Sequence, residues 1–275
     1  KSKLCLSGGV ALNCVANGKL MREPIFDKIW IQPASGDAGG ALGAALMVYY
    51  QLLEKKRSPT PSDDMCGGRL GPSYSNSEIE AYLEQEGVVF ERFENEEDLL
   101  TTTAAEIASG KVIGWFQDRM EFGARALGNR SILADPRDPN MKDKINSAIK
   151  YRESFRPFAP AILENMASEY FEIPNGETVP FMEKVYMIKE DKRNLIPSVT
   201  HADGSGRIQS VSKKYNPIFY SLINSFYKET GVPVLLNTSF NINGEPIVCS
   251  PTDAIKTFFS CGLDILILGN YIVTK

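Results

Sequence analysis

The chain has 275 residues, of which 43% are hydrophobic and 23% charged, with a net charge of −4. That balance is ordinary for a globular protein and leaves room for one large domain or two modest ones, at roughly 100–200 residues each. No apolar run reaches the ~18 residues of a membrane span, KSKLCLSGG is too short in apolar residues to read as a signal peptide, and the acidic balance argues against a general nucleic-acid coat.

In chain order, Lys3–Leu6 reads as a strand, followed by the turn Ser7-Gly8-Gly9 and an apolar helix from about Val10 to Met21. Phe26–Ile31 reads as a second strand; the turn ASGDAGG and an Ala/Leu/Met-rich helix from Gly39 to about Lys55 come next. Two such strand–turn–helix units are too few to close a core, so an upstream portion of this lobe is expected outside the chain. Residues 57–72, rich in Pro, Gly, Ser and charge, read as a linker.

Beyond it the pattern alternates. Helices are expected at Ser77–Gln85, Glu96–Ser109, Met141–Lys150, Pro217–Thr230 and Pro251–Cys261. Strands are expected at Val88–Phe90, Lys111–Phe116, Phe158–Leu163, Pro233–Asn237 and Asp264–Leu268. The fold class is therefore α/β, a twisted mixed sheet with flanking helices over residues 73–275, preceded by a partial α/β lobe over residues 1–56.

Charge is unevenly spread. Residues 111–156 carry ten Lys/Arg against six Asp/Glu, whereas the remainder carries 20 against 28. A cationic segment in an acidic protein fits either a small anionic ligand or a solvated face. Within it, EFGARALGNR sets Arg125 and Arg130 among glycines, and KYRESFRPFAP places Lys150, Arg152 and Arg156 within seven residues beside Pro157 and Pro160. Guanidinium forks match phosphate and carboxylate oxygens, and the interleaved Gly, Pro and Phe do not resemble an amphipathic surface helix. Arg207 in SGRIQSV, with Asn237 and Ser239 at a strand end in VLLNTSFN, could line a ligand site or an ordinary turn. Gly8, Gly9 and Asn13 form a strand–helix turn able to approach an anion, and Asp37 could cap its helix or face a metal. The lone histidine, His201, reads as a loop residue. Five scattered cysteines without a CxxC pair give no disulfide or zinc framework, so a reducing, cytoplasmic setting is the default.

In this order the motifs LSGGVALN, SGDAGG, EFGARALGNRSILADPR, KYRESFRPFAP and LLNTSFN resemble the NodU/CmcH-type O-carbamoyltransferase family over essentially the whole chain. The resemblance implies the end of an ASKHA-type lobe followed by a YrdC-like domain that forms carbamoyl-adenylate from carbamoyl phosphate and ATP, with Mg2+. It also implies transfer to an acceptor alcohol by a complete ASKHA-type domain holding Fe2+ or another divalent metal through an HxxxH motif, which a chain with one histidine cannot contain. Carried over by motif, Arg125, Lys150 and Arg156 are the expected catalytic residues. Arg207, Asn237, Ser239 and Arg130 are expected to bind substrate; Gly8, Gly9 and Asn13 line a nucleotide pocket in the first lobe, and Asp37 is a metal ligand. Threonylcarbamoyl-adenylate synthesis for tRNA modification and a non-catalytic nucleotide-binding module remain the alternatives. Neither nucleic acid nor membrane is expected as a partner, and the first lobe's apolar helices could promote self-association.

Overall fold

The computed structural model describes residues 2–23, 25–59, 63–174 and 176–275. In the first lobe, β1 (Lys3–Leu6) pairs in parallel with β2 (Lys28–Ile31), and the connection carries α1 (Cys14–Arg22). The helix expected from Val10 is two pieces. A 3-10 turn, Gly9–Leu12, ends at Asn13, whose side chain accepts the Ala16 N–H and so starts α1 afresh. An asparagine favours that capping position over a helix interior because its side chain competes for backbone donors.

Helix α2 (Asp37–Met47) runs on into a π-helical turn, Val48–Leu52. None of its residues is buried: Met47, Val48, Tyr49, Leu52 and Leu53 all face solvent, Leu52 with 74% of its surface exposed. A two-stranded parallel sheet with an uncovered apolar helix is not self-sufficient, because parallel strands are stable when both faces are covered.

The expected linker behaves differently in its two halves. Residues 57–59 are exposed, and 60–62 lie outside the described residues. A turn closed on Asp63 leads into residues 68–72, which are tied to the second domain. The Asp63 carboxylate accepts the N–H groups of Met65 and Gly67, Gly71 N–H donates to Met120 O, Met120 N–H to Pro72 O, and Phe122 N–H to Gly68 O. Residues 63–72 are thus a bonded flank of the second domain rather than a slack tether.

That domain opens with α3 (Asn76–Gln85), whose start is fixed by a reciprocal Ser75–Glu78 capping box. There follow β3 (Phe90–Arg92), α4 (Glu96–Ala108), β4 (Ile113–Phe116), β5 (Arg130–Ala134), α5 (Met141–Ala148), β6 (Ala159–Leu163) and α6 (Ala167–Tyr170). The chain continues through β7 (Tyr186–Met187), α7 (Glu190–Arg193), β8 (Ser205–Gly206), β9 (Gln209–Val211), α8 (Pro217–Thr230), β10 (Val234–Ser239), α9 (Pro251–Ser260), β11 (Ile265–Leu268) and β12 (Tyr271–Thr274). Eight strands form one mixed sheet in the order β3-β12-β11-β4-β5-β10-β6-β9. The pairs β11–β4 and β6–β9 are parallel and the rest antiparallel. Every residue of β4, β5, β6 and β11 is buried, the signature of strands covered on both faces.

Helices α4 and α8 pack on each other, α8 also touching β10 and β6, while α9 lies on β11 and β4 with α3 beside it. Trp115, Phe219, Phe226 and Phe258 are among the fully buried side chains between these layers; aromatic burial of this kind contributes about 1.5–3 kcal/mol per side chain. The topology also fixes where the loops meet. Register pairs Ser131 with Ser239 and Asn237 with Ala159, so the start of β5, the end of β10 and the start of β6 share one end of the sheet. Parallel pairing of β9 with β6 brings the Arg207 turn to the same end.

Candidate functional site

Five segments converge there on an open cavity of about 260 Å³ lined by Arg125, Arg152, Arg156, Arg207, Thr238 and Ser239, with Ala124, Ala126, Pro157 and Met182 between them. Among the described residues no carboxylate lines it. Like charges so placed are unfavourable without an anion. Burial, with Arg125 as the next cause, pushes the Arg207 guanidinium down to about 10, and burial with Arg156 lowers that of Arg152. Arg207 Nε is buried with no hydrogen-bond partner among the described residues.

Each arginine is oriented from behind. Arg152 donates from Nε to Asn146 Oδ1 (2.7 Å) and lies 5.0 Å from the centre of the Phe158 ring. Arg156 pairs with Glu153 at 3.0 Å, both half-exposed, a bond worth little because exposed ion pairs are weak. Arg125 projects from the 121–130 loop and donates from Nη2 to the carbonyl oxygen of Leu12 (3.0 Å), while Cys14 is among the groups that act on the Arg207 charge. The first lobe therefore reaches the rim of the cavity. Asn17 extends that seam by donating to Glu183 O, and Gly18 packs so closely on Val185 that a Cβ would stand 2.6 Å from its Cγ2.

Asn237 is fully buried beside this cavity. Its amide donates to Gln209 Oε1 (2.8 Å) and, at 3.4 Å, to Ala126 O, while its Oδ1 has no partner among the described residues. Ser239 donates to Asn241 Oδ1 at 2.7 Å.

Two expected site residues stand elsewhere. Lys150 does not line the cavity. Its ammonium donates to Ser239 O (2.6 Å), Asn241 O (2.8 Å) and Asn241 Oδ1 (2.8 Å), clamping the chain where β10 ends. Burial, with Arg152 adding repulsion, pushes its pKa down to about 7. Arg130 is sealed against the core, because the β4–β5 register pairs it with Phe116. Its guanidinium sits 3.5 Å from the Phe116 ring centre and donates to the carbonyls of Gln117, Asp118, Asn129 and Pro72. Conversely, Arg152 and Thr238, outside the expected set, line the cavity. For Arg152 the signal was its place two residues from Lys150 in the same cationic run.

In the first lobe Gly8 takes φ +93 and donates its N–H to Ser35 O, and the space around Gly8 and Gly9 is open. Asn13 is engaged as the α1 cap. Asp37 is exposed in the first turn of α2. Among the described residues no group of three or more His, Cys, Asp or Glu could hold a metal ion, so this donor set does not fit a metal by itself. The five cysteines are unpaired, and among the described residues no helix is long and apolar enough to cross a membrane.

Comparison with known proteins bears on this geometry. The family described as Carbamoyltransferase C-terminus matches residues 104–275, and Carbamoyltransferase N-terminus matches residues 1–46. The chain belongs to the carbamoyltransferase family. Nodulation protein NolO of Bradyrhizobium diazoefficiens is 49% identical over 278 residues, covering all of this chain and 50% of the relative. Nodulation protein U of Rhizobium tropici is 33% identical over 88% of this chain and 39% of its own length. This family member spans about half the length of the curated relatives it matches. Among solved structures, P. abyssi Sua5 complexed with L-threonine aligns with a TM-score of 0.47 and 20% identity, over 66% of this chain and 48% of that one.

Proposed function

We propose that residues 73–275 carry the adenylate-forming site of an ATP-dependent O-carbamoyltransferase. The reading rests above all on four guanidiniums, without a carboxylate among them, lining one cavity. In this reaction water hydrolyses carbamoyl phosphate to carbamate and phosphate, a carbamate oxygen then attacks the α-phosphorus of ATP, and pyrophosphate leaves. Charge builds on phosphoryl oxygens in that step, so preorganised cations contribute more than a nucleophile or base. Arg125, Arg152, Arg156 and Arg207 would hold the phosphates. The amide oxygen of Asn237 and the hydroxyl of Ser239 would orient the carbamoyl group, and Lys150 would fix the strand end that carries Ser239. Magnesium would come with the nucleotide, and a divalent metal beside Asp37 would need ligands from outside this chain. Transfer to the acceptor hydroxyl is assigned to the longer protein of which the relatives' length gives the scale.

The test is pyrophosphate release from the chain with carbamoyl phosphate, ATP and magnesium. Release is expected to require carbamoyl phosphate, and to fall about 100-fold or more in Arg207→Ala, as for loss of a preorganised donor to a developing oxyanion. Release supported instead by bicarbonate and threonine would replace this reading with threonylcarbamoyl-adenylate synthesis. ATP binding without any product would leave a nucleotide-binding module.

A further inference from the structure

The cavity's arginines reach it from segments of irregular backbone, and Arg125 stands on the loop between Glu121 and Arg130. A loop of this kind holds a side chain in place only if its own amides and carbonyls are satisfied. At Leu127 and Gly128 they are, by side chains from elsewhere. Trp115 Nε1 donates to Gly128 O (2.8 Å), Gln209 Nε2 to Leu127 O (2.8 Å), and Gly128 N–H to Ser131 Oγ (3.0 Å). The chord that closes the loop is a carboxylate. Glu121 Oε1 accepts the N–H groups of Leu127 (2.6 Å) and Asn129 (2.8 Å), with Arg130 N–H at 3.4 Å. Glu121 is 6% exposed and does not line the cavity. Burial raises its pKa, and the amide bonds with the nearby Arg130 charge oppose that rise.

We infer that Glu121 is the positioning residue for Arg125, its carboxylate gathering the amides of the 127–130 segment so that the guanidinium meets the anionic substrate. The inference rests on the adenylate-forming reading for the identity of that anion, and on the loop's own bonds for the rest. Cutting the chord leaves three buried amides without an acceptor and frees the apex of the loop.

Two measurements on the full 275-residue chain test it. The first is calorimetric titration with pyrophosphate. Glu121→Ala and Arg125→Ala should each weaken binding about tenfold or more, the loss expected of a charged hydrogen bond. The double variant should match Arg125→Ala within about twofold, because residues acting through one another do not add. Glu121→Gln, whose amide oxygen can accept the same bonds, should stay within about threefold of the parent. The second is trypsin cleavage after Arg125, slow in the parent and fast in Glu121→Ala. If Glu121→Ala fails to melt cooperatively, Glu121→Asp, one methylene short of the loop amides, takes its place with the same expectations. A folded variant with parental binding and parental protection, or a double variant whose losses multiply, overturns the inference. A parent chain that binds no pyrophosphate removes the adenylate-forming reading, while protection at Arg125 still decides the role of Glu121.

Discussion

Replacing Gly128 with alanine probes how tightly the arginine-bearing loop is held. Gly128 has φ +103, a conformation that costs an L side chain about 1–3 kcal/mol. The added methyl carbon would stand 2.5 Å from Cγ and 2.6 Å from Cε1 of Phe219, a ring with no exposed surface in α8. Overpacking in a closed core adds about 1–3 kcal/mol, so the two effects together amount to about 2–6 kcal/mol. At about 2–4 °C per kcal/mol for a protein near this size, the middle of that range lowers Tm by about 8–16 °C. Gly231→Ala is the control. Gly231 also has positive φ (+74), at the end of α8, but nothing lies within 4 Å of its Cβ position, leaving only the backbone strain of roughly 1 kcal/mol. Paired calorimetric melts read the contrast. Equal small decreases in the two variants would refute close packing of the loop on Phe219.

Three further outcomes are expected. Lys150 has a pKa near 7 in the fold against 10.5 in an ordinary lysine, so between those values the unfolded chain binds more protons and this residue makes stability rise with pH; in urea melts, parental stability minus that of Lys150→Met should grow from pH 7 to pH 10, and a constant or shrinking difference would remove the buried ammonium from the account. Gly18→Ala ordinarily helps a helix by about 1 kcal/mol, but here its Cβ would meet Val185 Cγ2 at 2.6 Å and Val185 O at 2.7 Å; hydrogen exchange in α1 should quicken while the eight-stranded sheet is unaffected, and a net gain in stability would contradict the seam. Leu52→Glu, in the exposed apolar π-helical turn after α2, should suppress concentration-dependent growth of mass in light scattering; an unchanged mass profile would acquit that face.

Much of the second domain is legible in the sequence because local signals and tertiary needs agree. The run from Glu96, capped by Asn95 and ended near Gly110, becomes α4, and Asn216-Pro217 through Gly231 brackets α8. Strand β5 is harder to read, since its first residue is the arginine that draws attention as a ligand group. Nothing local distinguishes a guanidinium destined for Phe116 and four carbonyls from one destined for a cavity; the register of β4 with β5 decides it. Lys150 differs for a similar reason, its acceptors lying some 90 residues away at the end of β10. Glu121 carries no sequence signal of its role, because its partners are backbone amides. Polar composition suggested a linker at 57–72, yet Asp63 and Gly71 bond like parts of a domain. The strand end at Ser239 and the turn at Arg207 can be read as a set, and the sheet brings both to one cavity, with Asn237 buried beside it.

The bond from Arg125 to the Leu12 carbonyl, that from Asn17 to the Glu183 carbonyl and the fit of Gly18 on Val185 have a consequence for anyone recombining relatives of this protein. Polar residues near 57–72 invite a crossover point, but exchanging everything after them would pair one parent's arginines with another parent's Leu12–Gly18 surface. Swaps that move residues 8–23 together with the second domain keep both sides of that surface from one ancestor. Chimeras cut in the two ways should differ in Tm even where their sheets are identical.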